Sequence, residues 1–175
     1  MQSPDFRHVR VVKTVTLSTF LDAAPETVWR HVQTSRLLDY VTSPLIRFRP
    51  HDPDGFPDTW VPGDFKATMY LFGVLPIGVQ VIGIRFPDSQ HHGVRTLRDE
   101  GHGTAARVWD HLIHVEAENG GTRYTDAVTI DAGWRSPFVA AFARMFYGHR
   151  QKRWRRLVAE GFEAIDTEKR QDDTP

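Results

Sequence analysis

Glu118-Asn119-Gly120-Gly121 separates two runs rich in Val, Ile, Thr and aromatic residues, and it constrains the chain more tightly than any other segment. Asn-Gly supplies the two positive φ angles of a type I′ turn, the tight turn whose twist matches a β-hairpin. With Glu118 facing Gly121, the opposed pairs are Val115 with Tyr124, Ile113 with Asp126, His111 with Val128 and Trp109 with Ile130. The alternate pairs are Glu116 with Arg123, His114 with Thr125, Leu112 with Ala127 and Asp110 with Thr129. The first set is mostly large and apolar, and the second is mostly polar with one opposite-charge pair. A slip of one residue destroys this separation, so the register is expected to hold. It sets His111 and Asp126 diagonally on the inward face. A carboxylate there is costly unless it is paired. Asp126 is either a structural group satisfied by His111, an arginine or backbone, or an acid/base group or polar anchor in a pocket.

The rest of the chain follows a simple order. A strand is expected over residues 9–21, then a short helix opened by Pro25 and Glu26 with Val28, Trp29 and Val32 on one face. A second short helix over 35–41 gathers Leu37, Leu38 and Val41 and stops at Pro44. Strands are expected over 45–49, 65–72, 77–86, 94–99, 105–117 and 122–132. The segment 51–63, with Pro53, Pro57 and Pro62, reads as an irregular surface loop. From Ser136, an expected N-cap with Pro137 behind it, a proline-free stretch to about Ile165 takes helical period. Val139, Ala143, Phe146, Arg150, Trp154, Leu157 and Gly161 form its stripe. This is an α+β layout in one domain over residues 9–166, between a flexible N-terminus (1–8) and a disordered tail (167–175).

Composition removes several function classes. Apolar residues make up 40% and charged residues 25%, as in ordinary globular chains. No run approaches the ~20 apolar residues of a spanning helix, and the polar first ten residues do not read as a signal peptide. A cytoplasmic location is the expectation. The chain has no cysteine, which excludes disulfides, thiolate metal sites and a cysteine nucleophile. His91-His92 and His102 fall in or near turns without ligand spacing, so neither a metal nor another cofactor is expected. Twenty-two basic residues balance 22 acidic ones. Lys152, Arg153, Arg155 and Arg156 lie off the apolar stripe, near Glu160, Glu163 and Asp166, and read as a solvated helix face. Nucleic acid is not an expected partner. Arg150 alone points at the sheet.

Several motifs carry a resemblance. Ala24-Pro25-Glu26-Thr27-Val28-Trp29 is similar to the opening of SRPBCC domains, the superfamily of birch-pollen allergen-like proteins, START-type lipid transfer domains and polyketide cyclases. Thr42-Ser43-Pro44-Leu45-Ile46-Arg47-Phe48, Gly73-Val74-Leu75-Pro76-Ile77, Trp109-Asp110-His111, Gly121 to Val128 and His149-Arg150 resemble motifs of one bacterial branch. That branch occurs alone or beside NAD-dependent epimerase-like proteins described as SulA-like division inhibitors. The resemblance spans about residues 9–157, with a longer Pro-rich loop and Asp110 as departures.

It implies a helix-grip fold, a curved antiparallel sheet wrapped around the long C-terminal helix, with a pocket between them. Candidate ligand-binding residues are then Trp29, Trp109, His111, Ile113, Tyr124, Asp126, Val128, Phe142, Met145, Phe146 and Arg150, with none assigned a catalytic role. Asp126 is expected to be held by His111 or Arg150. The leading reading is a binding module for a small apolar or amphipathic molecule. The alternative is a polyketide cyclase or dehydratase-type enzyme in which His111 and Asp126 handle protons, and a third is a protein-interaction domain. An epimerase-like protein is an implied partner, and monomer and homodimer both stay open.

Overall fold

The computed structural model describes residues 11–88 and 93–166. The expected flexible N-terminus, the expected tail and the His91-His92 pair lie outside the described residues. Strand β1 (Val12–Leu21) leads into helices α1 (Pro25–Val32) and α2 (Ser35–Thr42). Six strands follow: β2 (Ile46–Pro50), β3 (Gly63–Leu71), β4 (Leu75–Arg85), β5 (Val94–Gly103), β6 (Val108–Glu118) and β7 (Gly121–Asp131). A 3-10 turn (Gly133–Arg135) then opens α3 (Ser136–Ala159). The sheet order is β1-β7-β6-β5-β4-β3-β2, with every neighbouring pair antiparallel. The two short helices carry the chain from one sheet edge to the other, and the strands meander back until β7 lies beside β1.

Local chemistry accounts for the element ends. Pro25 takes the first turn of α1, where its missing N–H costs nothing. The Thr34 hydroxyl accepts the Leu37 amide at 3.2 Å and caps α2. Pro50, which cannot donate to a ladder, ends an edge strand. Asn119 and Gly120 adopt φ of 48° and 82°, as a type I′ turn demands. The β6–β7 register runs from Glu118 opposite Gly121 to Trp109 opposite Ile130, as the turn chemistry predicts. His111, Ile113, Val115, Tyr124, Asp126, Val128 and Ile130 are all buried, and Glu116 is exposed.

Three expectations need correction. Segment 51–62 is irregular, but it is not merely surface: Trp60 is buried and packs with Phe56 and Phe65 against the core. Ser136 is the first residue of α3 and does not cap it. Its hydroxyl accepts the Ala132 amide and donates to the Gly133 carbonyl, fastening the preceding turn. The helix also ends at Ala159, because Gly161 and Phe162 both take positive φ (64° and 66°) and reverse the chain. Phe162 then stacks on His31 at 4.4 Å and meets Trp154 edge-on, and Ile165 is buried.

The core has two clusters. One joins α1, α2 and the C-terminal half of α3 around Trp154 and Leu157, and the other joins Val15, Val128, Ile130, Ala143, Phe146 and Tyr147. Helix α3 packs chiefly on β1, β7 and α2. Its buried side chains therefore sit on one side of the sheet, and β3 to β5 stand away from it.

The β1–β7 junction relies on a missing side chain. A Cβ at Gly121 would lie 2.6 Å from the Leu21 carbonyl oxygen and 2.6 Å from the Phe20 ring. Gly121→Ala must displace backbone, so it should lower stability by about 1–3 kcal/mol. Urea unfolding at neutral pH checks this, and an unchanged midpoint would contradict the close approach.

Candidate functional site: a cavity between sheet and helix

Strand alternation turns Met69 of β3, Ile82 and Ile84 of β4, Leu97 of β5 and Ile113 of β6 to the inner face. Because α3 leans on the β1–β7 end of the same face, these side chains do not pack directly against it. They enclose a cavity of about 650 Å³, closed by Val139, Phe142 and Phe146 of α3 and by Leu37 and Leu38 of α2. That lies in the usual range for small-molecule sites. Besides the hydroxyls of Thr34 and Tyr147, the polar side chains on its wall are Gln80, Asp99, His111, Arg135 and Arg150. Room for two of them comes from Gly101, where a Cβ would sit 2.7 Å from Gln80 Nε2 and 3.1 Å from Asp99 Oδ1. At the mouth stand Trp134 and Phe138, 78% and 72% exposed, with Ile77 and Ala105. Exposed apolar side chains gathered in one patch commonly mark ligand-binding or interaction surfaces.

Beneath the cavity wall is a fully buried polar centre. Asp126 Oδ1 accepts from His111 Nε2 at 2.8 Å and from the Tyr124 hydroxyl at 3.0 Å. Its Oδ2 accepts from Gln151 Nε2 at 3.0 Å, and the same amide also donates to the Leu17 carbonyl at 2.9 Å. Burial by itself would raise the Asp126 pKa. The His111 bond, the field of Arg150 and the Gln151 amide outweigh it, so the carboxyl lies below its ordinary value. Burial pulls His111 down in spite of Asp126, so a neutral imidazole donates through Nε2 to an ionised carboxylate. Tyr147, above His111, receives the Trp109 indole N–H at 3.1 Å.

Asp99 differs. Its Oδ1 accepts the Gly83 amide at 2.7 Å, but burial dominates and pushes its pKa up to about 7.

Six of the sequence candidates line the cavity: Trp109, His111, Ile113, Phe142, Phe146 and Arg150. Tyr124, Asp126 and Val128 do not reach it. They are 0% exposed on β7, where α3 packs directly and leaves no space. Trp29 packs edge-on to Phe86 at 6.4 Å, off the cavity wall. Met145 lies one residue from Phe146 on α3, turned about 100° away, and is exposed. The expectation that it points between sheet and helix is therefore corrected. The expectation that Asp126 is held by His111 or Arg150 holds for His111; Arg150 makes no hydrogen bond to it, and Gln151, the next residue, does. Sequence reasoning missed Gln151, Gln80, Asp99, Tyr147, Trp134 and Phe138. Inward alternation through Leu97 and Asp99 was the available signal for Asp99. Of the basic run, Arg153 lies over the Tyr40 ring at 4.0 Å, Arg155 donates to Thr19 and Arg156 pairs with Glu160.

The fold places the chain among helix-grip proteins, and solved structures carry the same architecture. Protein Ms6760 from Mycobacterium smegmatis matches with a TM-score of 0.60 at 16% identity, over 88% of this chain and 95% of its own. A START superfamily protein from Mycobacterium smegmatis matches at 0.59 and 13% identity, over 84% and 97%. Ara h 8.0201 matches at 0.57 and 16% identity, over 85% and 99%. At such identities the likeness is one of fold. No curated protein matches the sequence. Residues 19–158 match the family described as Domain of unknown function (DUF8410), and the chain belongs to that family.

Two stability outcomes follow from the polar groups. Asp126→Ala strands three buried donors and should cost about 3–5 kcal/mol in urea unfolding. Asp126→Asn should cost less, since its oxygen still accepts from His111 and Tyr124 while Gln151 must turn its amide. A loss below about 1 kcal/mol for the alanine variant would contradict the buried network.

Asp99 has the opposite sign. Its folded pKa stands above the unfolded value of 3.8, so its favourable contribution is complete below about pH 4 and lost as pH rises through about 7. Asp99→Asn keeps the Gly83 bond and should stabilise the protein at pH 8 by on the order of 2–4 kcal/mol. The gain should shrink toward zero near pH 4. Equal gains at both pH values would show that ionisation is not the cause.

Proposed function

We propose that the protein binds a small apolar or amphipathic molecule in the cavity between the sheet and α3. The observation that carries this reading is the cavity itself: about 650 Å³, walled mostly by aliphatic and aromatic side chains and reached past exposed Trp134 and Phe138. Unfilled apolar volume costs stability, so a space of this size favours an occupant. The few polar groups on its wall would fix the occupant's orientation.

The alternative, proton chemistry by His111 and Asp126, has less support. Asp126 is 0% exposed and both of its oxygens are engaged by protein donors, so the carboxylate has no access to a substrate. Its arrangement suits a group that orients His111 and ties strands to helix. A relation to the branch found beside epimerase-like proteins, and a complex with such a protein, are separate proposals resting on the sequence motifs. Affinity purification from the native host tests them. No described helix is long and apolar enough to cross a membrane.

The neutral fluorophore N-phenyl-1-naphthylamine tests the binding reading. It should bind the wild-type protein with enhanced, blue-shifted emission. Val139→Trp, which places an indole into the cavity from α3, should weaken binding at least about tenfold, whereas Lys152→Trp on the solvent side should not. A wild-type protein that does not enhance the probe, or a Val139→Trp variant that binds it equally well, would defeat the reading. Native mass spectrometry of protein from its own host would identify a retained occupant.

A further inference from the structure

Arg150 is 6% exposed and lines the cavity. Its Nε has no hydrogen-bond partner, and Arg150 forms no ion pair among the described residues. What surrounds the guanidinium is aromatic: it lies 5.0 Å from the Tyr147 ring centre and 5.9 Å from that of Phe146. Cation–π attraction recovers only part of what hydration gave, and a buried charge without an ion-pair partner is unfavourable. Arginine stays charged throughout the accessible pH range.

The nearby carboxylates do not supply what is missing. Asp126 contributes a favourable field, but its oxygens are taken by His111, Tyr124 and Gln151. Asp99 gives Oδ1 to the Gly83 amide. The Arg150 guanidinium therefore stands at a mostly apolar chamber with its Nε unpartnered and no carboxylate in salt-bridge contact among the described residues.

We propose that the cavity's occupant is an anionic amphiphile, an aliphatic or aromatic body ending in a carboxylate that pairs with Arg150. This rests on the binding reading and names the ligand class. A guanidinium matches a carboxylate with two parallel hydrogen bonds, stronger than neutral ones. Arg150 is the buried arginine of the wall, while Arg135 also lines the cavity but is exposed to solvent, and Gln80 adds neutral hydrogen-bonding capacity. The apolar walls would take the rest of the molecule.

Asp99 gives the pairing a pH dependence. The groups facing it are Gly83 N–H and Arg85 on β4, Asp110 and His111 on β6, and Tyr147 and Arg150 on α3. With its proton, Asp99 can donate to the bound anion; without it, the second negative charge repels the ligand. Carboxylate affinity should fall as pH rises through about 7.

Decanoate and decan-1-ol share an alkyl body and differ in charge. Calorimetric titration of the whole chain at pH 6.5 should show decanoate binding at least about tenfold more tightly than the alcohol. Arg150→Met, of similar length and uncharged, should bring the ratio close to one, with thermal melting reporting that the variant folds. Arg150→Lys keeps the charge without the fork and should retain part of the preference. Between pH 6 and 8 the wild-type affinity for decanoate should fall several-fold, and Asp99→Asn should flatten that fall. Equal binding of the two compounds by the wild type, or an unchanged ratio in a folded Arg150→Met, overturns the anion proposal while naphthylamine binding leaves the cavity reading standing. If neither compound nor the fluorophore binds, the cavity reading falls and takes this proposal with it.

Discussion

The Asp126 carboxylate is the interaction on which the rest of the structure depends. Its partners come from β6 (His111), β7 itself (Tyr124) and α3 (Gln151), and Gln151 reaches on to the Leu17 carbonyl of β1. One buried charge thus joins three adjacent strands to the closing helix. Apolar contacts alone would let α3 slide or roll on the sheet with little penalty, because burial is non-directional. A carboxylate with three donors accepts only one arrangement. The network fixes where the helix lies, and the place it fixes is the β1–β7 side.

That placement creates the cavity. With α3 committed to β1 and β7, the strands from β3 to β5 curve away and their inward side chains have nothing opposite them. Closing the gap would require larger side chains at positions such as Ile82, Ile84 and Leu97, or a second helix. The chain instead folds segment 51–62 and α2 over one end, with Trp60 and Leu37 buried there, and leaves the other end to Trp134 and Phe138. The chamber is closed on the side that carries the core and open on the side that carries exposed aromatic residues.

Much of this was legible in the sequence, for identifiable reasons. Asn119-Gly120 admits one turn type, and that turn sets the register of twenty residues around it, including the inward direction of His111 and Asp126. The proline-free period of α3 exposed its buried face, down to Trp154 and Leu157. Other features escaped. The burial of Trp60 depends on where an irregular loop lands, which no local pattern encodes. The β4–β5 pairing keeps one register but is interrupted around Gly83, where the Asp99 side chain takes the amide, a detail no turn signal encodes. Gln151 was hidden by Arg150: a stripe drawn at helical period admits two neighbouring residues at one level, and charge drew attention to the wrong one.

Arg150 and Gln151 are adjacent on one helix and both buried, yet their circumstances are opposite. About 100° of helical rotation separates their side chains. Gln151 faces β7, where its amide meets the Asp126 carboxylate and the Leu17 carbonyl, and Arg150 faces the chamber, where its Nε meets no acceptor. Proteins generally satisfy buried polar groups; among the described residues His31 Nε2, Thr42 Oγ1 and Trp154 Nε1 also lack a partner, but of these side chains only that of Arg150 both carries a permanent charge and lines the cavity. Had the arginine been needed to hold Asp126, the two would be in contact; the carboxylate is satisfied without it. A leucine or methionine at position 150 would carry no charge to desolvate, though it would also remove the field that favours the Asp126 carboxylate. The free energy stored in that unpaired guanidinium can be recovered by a molecule that brings an acceptor into the cavity, and its binding would stabilise the fold by mass action. The polar centre that positions the helix and the cation that awaits a partner are thus two faces of one turn of α3.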